Sequence, residues 1–200
     1  MRTILVWLER ALFTLGAALA VWCTIVLVRA EYVRRIPVPA PSAHLPGDAG
    51  DGGTSPRVPA KLPSGSWIAR LEAPTADLVA TVLEGSDDGT LARAAGHIED
   101  TAFPGQQGNI GIAGHRDTIF RPVRKLSVGD PIVLTTADNV YRYRVARTMI
   151  VGPNDVWVLD PGDHPTLTLV TCYPFEFFGH APKRFIVSAD LVGGERRAAS

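Results

Sequence analysis

Cysteine is almost missing from this chain: of 200 residues, only Cys23 and Cys172 carry a thiol. Cys23 lies in an apolar N-terminal run, so the two form no intramolecular disulfide, and a disulfide-stapled scaffold is excluded. Net charge is missing too, with 20 basic and 20 acidic side chains. Residues 36–200 hold 15 basic against 18 acidic groups, so this part of the chain gives little support to nucleic-acid binding. Close ligand pairs such as Cys-x-x-Cys or His-x-x-x-His are absent, which leaves His164 and His180, on either side of Cys172, without the spacing of a zinc site. No internal repeat is present. What the chain does have in quantity is turn chemistry: 19 glycines and 16 prolines favour strands and turns over a helical bundle.

Residues 1–10 read as a short tail, followed by "ALFTLGAALAVWCTIVLV" at 11–28, a run of 18 residues without a charge. At about 1.5 Å per residue, such a helix just crosses a bilayer core. Trp7, Trp22 and Tyr32 suit the interfaces. The run ends in bulky residues and not in a small-x-small cleavage site, which favours a retained anchor over a signal peptide. Arginine is denser after the span than before it, yet a long downstream domain translocates largely regardless of charge, so the expected orientation is N-in, C-out. Cys23 reads as one more apolar residue of this run. Residues 29–64 are rich in Pro, Gly, Ala and Ser, bury too little to offset ordering, and read as a tether. His44 belongs to it as a solvated bystander.

From 65 to 193 the pattern is that of one β domain, followed by a disordered tail at 194–200. "WIARLEA", "LVATVLEG", "GNIGIAG", "PIVLTT", "YRYRVARTMIV", "TLTLVTC" and "RFIVSADLV" are strand-length and bounded by turn residues. In the fifth, Tyr141, Tyr143 and Val145 alternate with Arg142, Arg144 and Ala146, as on a strand with one wet face. A helix is expected at about 88–96, capped by Asp87 or Asp88 and ended by a glycine. Some seven strands with one helix favour a closed, all-β barrel.

A catalytic cysteine needs a thiol, a proton carrier and donors for an oxyanion. Cys172 ends the strand "TLVTC", and a lone thiol in an exported domain calls for a chemical reason. His115 follows a strand and a glycine in "GIAGHRDT". Arg184 opens "RFIV", 12 residues past Cys172. If those two strands are antiparallel neighbours, both side chains share one end of the barrel. Each residue also has a plain reading: a small core cysteine, an idle loop histidine, a solvated edge charge.

Together, "GHRDT", "TLVTC" with its following "YPF", and "APKRFIV" resemble the sortases, membrane-anchored cysteine transpeptidases of bacterial surfaces, and most of all class D. The resemblance runs from about Trp67 to Val192. It implies an eight-stranded β-barrel with one or two short helices behind an N-terminal membrane helix. It implies Cys172 as nucleophile toward a threonine carbonyl in a Leu-Pro-x-Thr-Gly-like C-terminal sorting signal, and His115 as general acid and base. Arg184 would hold substrate and oxyanion, and Thr171 would help order the site. An amine acceptor would then resolve the thioacyl enzyme at the outer face of a bacterial cell membrane. Asp117 either orients His115 or caps a turn after it. His97 matches a family position with a structural part. No cofactor is implied, and no acidic cluster resembles a calcium loop. The rival readings are a thiol hydrolase of the same fold and a non-catalytic, anchored envelope-binding module.

Overall fold

The computed structural model describes residues 2–34, 62–176 and 179–197. The chain forms two compact units that divide between Ile36 and Pro37. The first is helix α1 (Arg2–Arg34), on which the expected anchor lies. Its Thr14 hydroxyl donates to the Arg10 and Ala11 carbonyls, and that of Thr24 to the Ala20 carbonyl, so neither polar side chain is left unpaired. Among the described residues no helix is long and apolar enough to cross a membrane. The side chains of residues 26 and 27, inside the expected 11–28 span, lie outside the described residues, as do residues 35–61 of the tether expected at 29–64, His44 among them; residues 29–34 of that tether are instead part of α1.

The second unit is a barrel of eight strands: β1 (Trp67–Ala73), β2 (Leu78–Glu84), β3 (Ala95–His97), β4 (Asn109–Ala113), β5 (Pro131–Thr135), β6 (Asn139–Val151), β7 (Thr166–Tyr173) and β8 (Lys183–Arg196). They close in the order β1-β2-β3-β4-β7-β8-β6-β5. β2/β3 and β4/β7 are parallel and the other pairs antiparallel. Because β1 pairs with both β2 and β5, no open edge is left to recruit another chain. Period-two alternation fills the interior. Tyr141, Tyr143 and Val145 are buried on β6, with Arg142, Arg144 and Ala146 exposed between them. Leu71, Ile112, Ile132, Leu134, Leu167 and Leu169 complete much of the same core. Truncating any one of these leucines to alanine would cost about 2–5 kcal/mol.

All seven strands legible in the sequence are present, and the eighth is where a helix was expected. Helix α2 is only Asp88–Leu91. Asp87 is its cap: extended backbone, with the carboxylate accepting the Thr90 amide. The chain then leaves helical conformation and Ala95–His97 pairs alongside β2. Gly96 is not a helix stop. A β-carbon there would run into the Gly85 carbonyl oxygen, so glycine is what lets β3 lie this close. Burial of Ala94 and Ala95 outweighs the helical propensity of "LARAA". Strand β8 also runs past 193, because Gly194, Glu195 and Arg196 pair with Tyr141, Val140 and Asn139. Backbone pairing needs no apolar side chain, so composition alone misplaced this boundary.

Candidate active site

The candidate residues lie on or just beyond three adjacent strands. On β7, Leu167 and Leu169 belong to the core and Thr171 is buried, so the alternate residues Thr168, Val170 and Cys172 face the other way. On β8, Val187 and Ala189 are core and Phe185 packs against it, which turns Arg184, Ile186 and Ser188 to that same outer face. Cys172 stands opposite Arg184 in the antiparallel register. Directly opposed residues have β-carbons about 4.5–5.5 Å apart, so the two side chains start from neighbouring positions on one face. On the other flank, β4 runs parallel to β7 with Ala113 beside Val170, and the Gly114 amide donates to the Val170 carbonyl at 3.1 Å. His115 follows two residues beyond the end of β4, the strand on the other side of β7 from Arg184.

Local chemistry holds each member. Thr171 is 3% exposed, and its hydroxyl donates to the Gly114 carbonyl at 2.7 Å, tying the residue before the cysteine to the residue before the histidine. The Phe120 amide donates to the His115 carbonyl at 2.9 Å, which folds residues 115–120 into a tight turn. The Phe120 ring then lies over Gly114, where a β-carbon would sit 2.5 Å from Phe120 Cγ. Only glycine fits beneath that ring. Arg184 is half-buried, and its Nη1 donates to the Lys183 and Ala181 carbonyls at 3.1 and 3.3 Å. Its permanent charge is therefore oriented by the connection between β7 and β8. Cys172 and His115 are half-buried and Asp117 is exposed in the turn after His115.

Three further histidines are among the described residues. His97 is 1% exposed, with Nδ1 2.8 Å from Glu84 Oε2 and Nε2 donating to the Ala102 carbonyl at 3.0 Å. Phe103 stacks on its ring at a centroid distance of 4.5 Å. Both nitrogens are committed inside the protein, so His97 ties β3 to β2 and has no nitrogen for a substrate. His164 is exposed and meets Asp190 at 3.2 Å, a surface pair worth little. His180 is exposed. Among the described residues, no three His, Cys, Asp or Glu side chains group as a metal site.

Two supports were not legible in the sequence. Asn109 donates through Nδ2 to the Val158 carbonyl at 2.9 Å and accepts from the buried Thr168 hydroxyl at 2.8 Å. This pins the short 3-10 turn Val156–Leu159 onto the face that carries Cys172. Arg116 is the second: it directly follows His115 yet is 9% exposed. Arg116 lies within "GHRDT", but neither residue's part shows there, because each acts through contacts distant in sequence.

A family model, the sortase domain, matches residues 71–192. The chain belongs to the sortase family. Sortase D of Bacillus subtilis strain 168 is 36% identical over 133 residues, which cover 66% of this chain and 67% of that protein. Sortase SrtE1 of Streptomyces coelicolor is 36% identical over 143 residues, covering 62% of this chain but 41% of that longer protein. Among solved structures, the Clostridium perfringens sortase D5 transpeptidase superposes with a TM-score of 0.60 at 36% identity, over 66% of this chain and 83% of that one. The class D likeness of the three motifs is thus matched by sortase D relatives, and the eight-stranded barrel by the family's fold. Sortases are transpeptidases, so an enzymatic role follows from membership.

Proposed function

We propose that this sortase cleaves a Leu-Pro-x-Thr-Gly-like C-terminal sorting signal through a thioacyl intermediate on Cys172 and transfers the acyl group to an amine. The register that opposes Cys172 to Arg184, with His115 just beyond the end of neighbouring β4, is the observation that supports this reading. The Cys172 sulfur attacks the threonine carbonyl carbon, and the Arg184 guanidinium stabilises the negative oxygen that results. The carbon–nitrogen bond to glycine breaks as His115 gives a proton to the departing amine, leaving a thioester. An incoming amine attacks that thioester, His115 takes its proton, and the Cys172 sulfur is released. A sortase E1 structure from Streptomyces coelicolor, 36% identical over 66% of this chain, holds a tripeptide in its active site, which supports a peptide substrate here.

Membrane attachment through residues 11–28 belongs to the same proposal, with the barrel on the extracytoplasmic side of a bacterial membrane. Leu12, Phe13, Leu15, Leu19, Val21, Trp22 and Ile25 are exposed on α1, as suits a helix whose partner is lipid.

Incubation with a signal peptide, followed by mass spectrometry, tests the chemistry. A thioacyl adduct on Cys172 that moves to an added amine is expected. Release of free acid whether or not amine is present would make the protein a hydrolase. Absence of an adduct under all conditions would leave a non-catalytic module.

A further inference from the structure

Arg116 sits in a turn where a charged side chain has every opportunity to reach water, and it does not take it. It is 9% exposed, and its Nη2 donates to the Gly179 carbonyl at 3.2 Å, across 63 residues of sequence. Burying a guanidinium is costly unless fixed acceptors meet it, and its charge cannot be shed by deprotonation. Gly179 lies in the connection that leaves β7 after Tyr173 and enters β8 at Lys183. Two residues further on, the Ala181 carbonyl accepts from Arg184, as does that of Lys183. One buried side chain beside His115 thus bonds to the connection whose Ala181 carbonyl accepts from Arg184.

We propose that Arg116 is a positioning residue of this sortase that acts through Arg184, coupling the histidine turn to the donor of the oxyanion. The proposal rests on the catalytic reading above. A second contact to the same connection is of another kind: Arg124 meets Glu176 at 3.2 Å, but the two side chains are 38% and 85% exposed. Water screens such a pair, so it holds little.

The test is turnover of a fluorogenic Leu-Pro-x-Thr-Gly peptide by the full-length chain in detergent. Arg116→Met is expected to lower kcat about tenfold in the parent. In an Arg184→Lys background it should lower kcat less than threefold, since the group it orients is already gone. Arg116→Lys keeps one donor for one carbonyl and should recover much of the loss. Alkylation of Cys172 by iodoacetamide should stay within twofold throughout, as should turnover by Arg124→Ala. Equal losses in both backgrounds, or parental kcat in Arg116→Met, would overturn the proposal. If Arg116→Met does not fold, Gly179→Ala decides. Its β-carbon meets no neighbour within 4 Å, but the backbone φ of +94° is strained for alanine, so the connection is disturbed without touching the core. Parental kcat there counts against the bridge. A parent without peptide turnover would instead show that the catalytic reading has failed. Amide hydrogen exchange at residues 179–184 then judges the bridge alone: faster exchange in Arg116→Met supports it, and unchanged exchange overturns it.

Discussion

Charge and geometry separate at Arg184. Lysine keeps the charge but offers no planar fork, so it cannot hold two acceptors at fixed angles. Arg184→Lys is expected to stay badly impaired and Arg184→Ala to be worse, by about a hundredfold, the usual effect of losing one oxyanion donor. Steady-state kinetics on one accepted peptide check this, and near-parental rates would remove Arg184 from the site. Thr171 makes a different point. Valine has its shape but no hydroxyl, and would leave the buried Gly114 carbonyl without its 2.7 Å donor. Thr171→Val should cost roughly 1–3 kcal/mol of stability. It should lower kcat as well, because that carbonyl precedes His115; Thr171→Ser should restore both. The two histidines divide along the same line. His115→Ala should lose on the order of 10²-fold or more in turnover while keeping its melting temperature. His97→Ala should melt early, since it strips a buried glutamate of its partner.

Among the elements, α2 shows how a four-residue helix survives between two strands. The Asp87 carboxylate accepts the Thr90 hydroxyl, the Ser64 hydroxyl and the Thr90 amide at 2.8, 3.0 and 3.1 Å. Chiefly because of the Thr90 and Ser64 hydroxyls, its pKa is lowered from 3.8 to about 2. A carboxylate with a depressed folded pKa stabilises the protein above its unfolded pKa, and that contribution fades as pH falls through the folded value. The melting-temperature gap between the parent and Asp87→Ala should therefore be full at neutral pH. It should narrow as pH drops from 3.8 toward about 2. A gap that widened in acid would contradict the cap. The turn after β4 depends on the opposite property, the lack of a side chain. Gly114→Ala drives a methyl into the buried Phe120 ring, an overpacking that costs about 1–3 kcal/mol, and it should displace His115 with the turn.

At the scale of the whole molecule, α1 and the barrel are separate units, and the barrel's core draws on residues from Leu62 onward. Removing residues 1–36 should leave the barrel's melting temperature and peptide turnover nearly unchanged while shifting the protein from the membrane to the soluble fraction. A large fall in melting temperature would mean that α1 contributes to the barrel. Closure also explains where function sits. The interior is filled by Leu, Ile, Val and Tyr side chains, so the site is built on the outer face, where alternation releases every second residue of β7 and β8 from the core.

Local pattern was enough for much of this. Alternation and turn residues marked seven strands, and a capping aspartate marked the start of α2, because these depend on neighbours in sequence. His115, Cys172 and Arg184 were grouped by the resemblance of three motifs, since each residue alone also has a plain reading. Tertiary structure alone decided the rest. Strand β3 was hidden because "LARAAG" has helical propensity, and only the strand beside it makes extension more favourable. The end of β8 was hidden because glycines and charges pair as well as valines when a partner strand is present. The partners of Asn109 and Arg116 gave no local sign, because the acceptors, Val158 and Gly179, lie 49 and 63 residues away. A side chain's chemistry is written at its own position, but which backbone carbonyl it meets is settled only when the barrel closes.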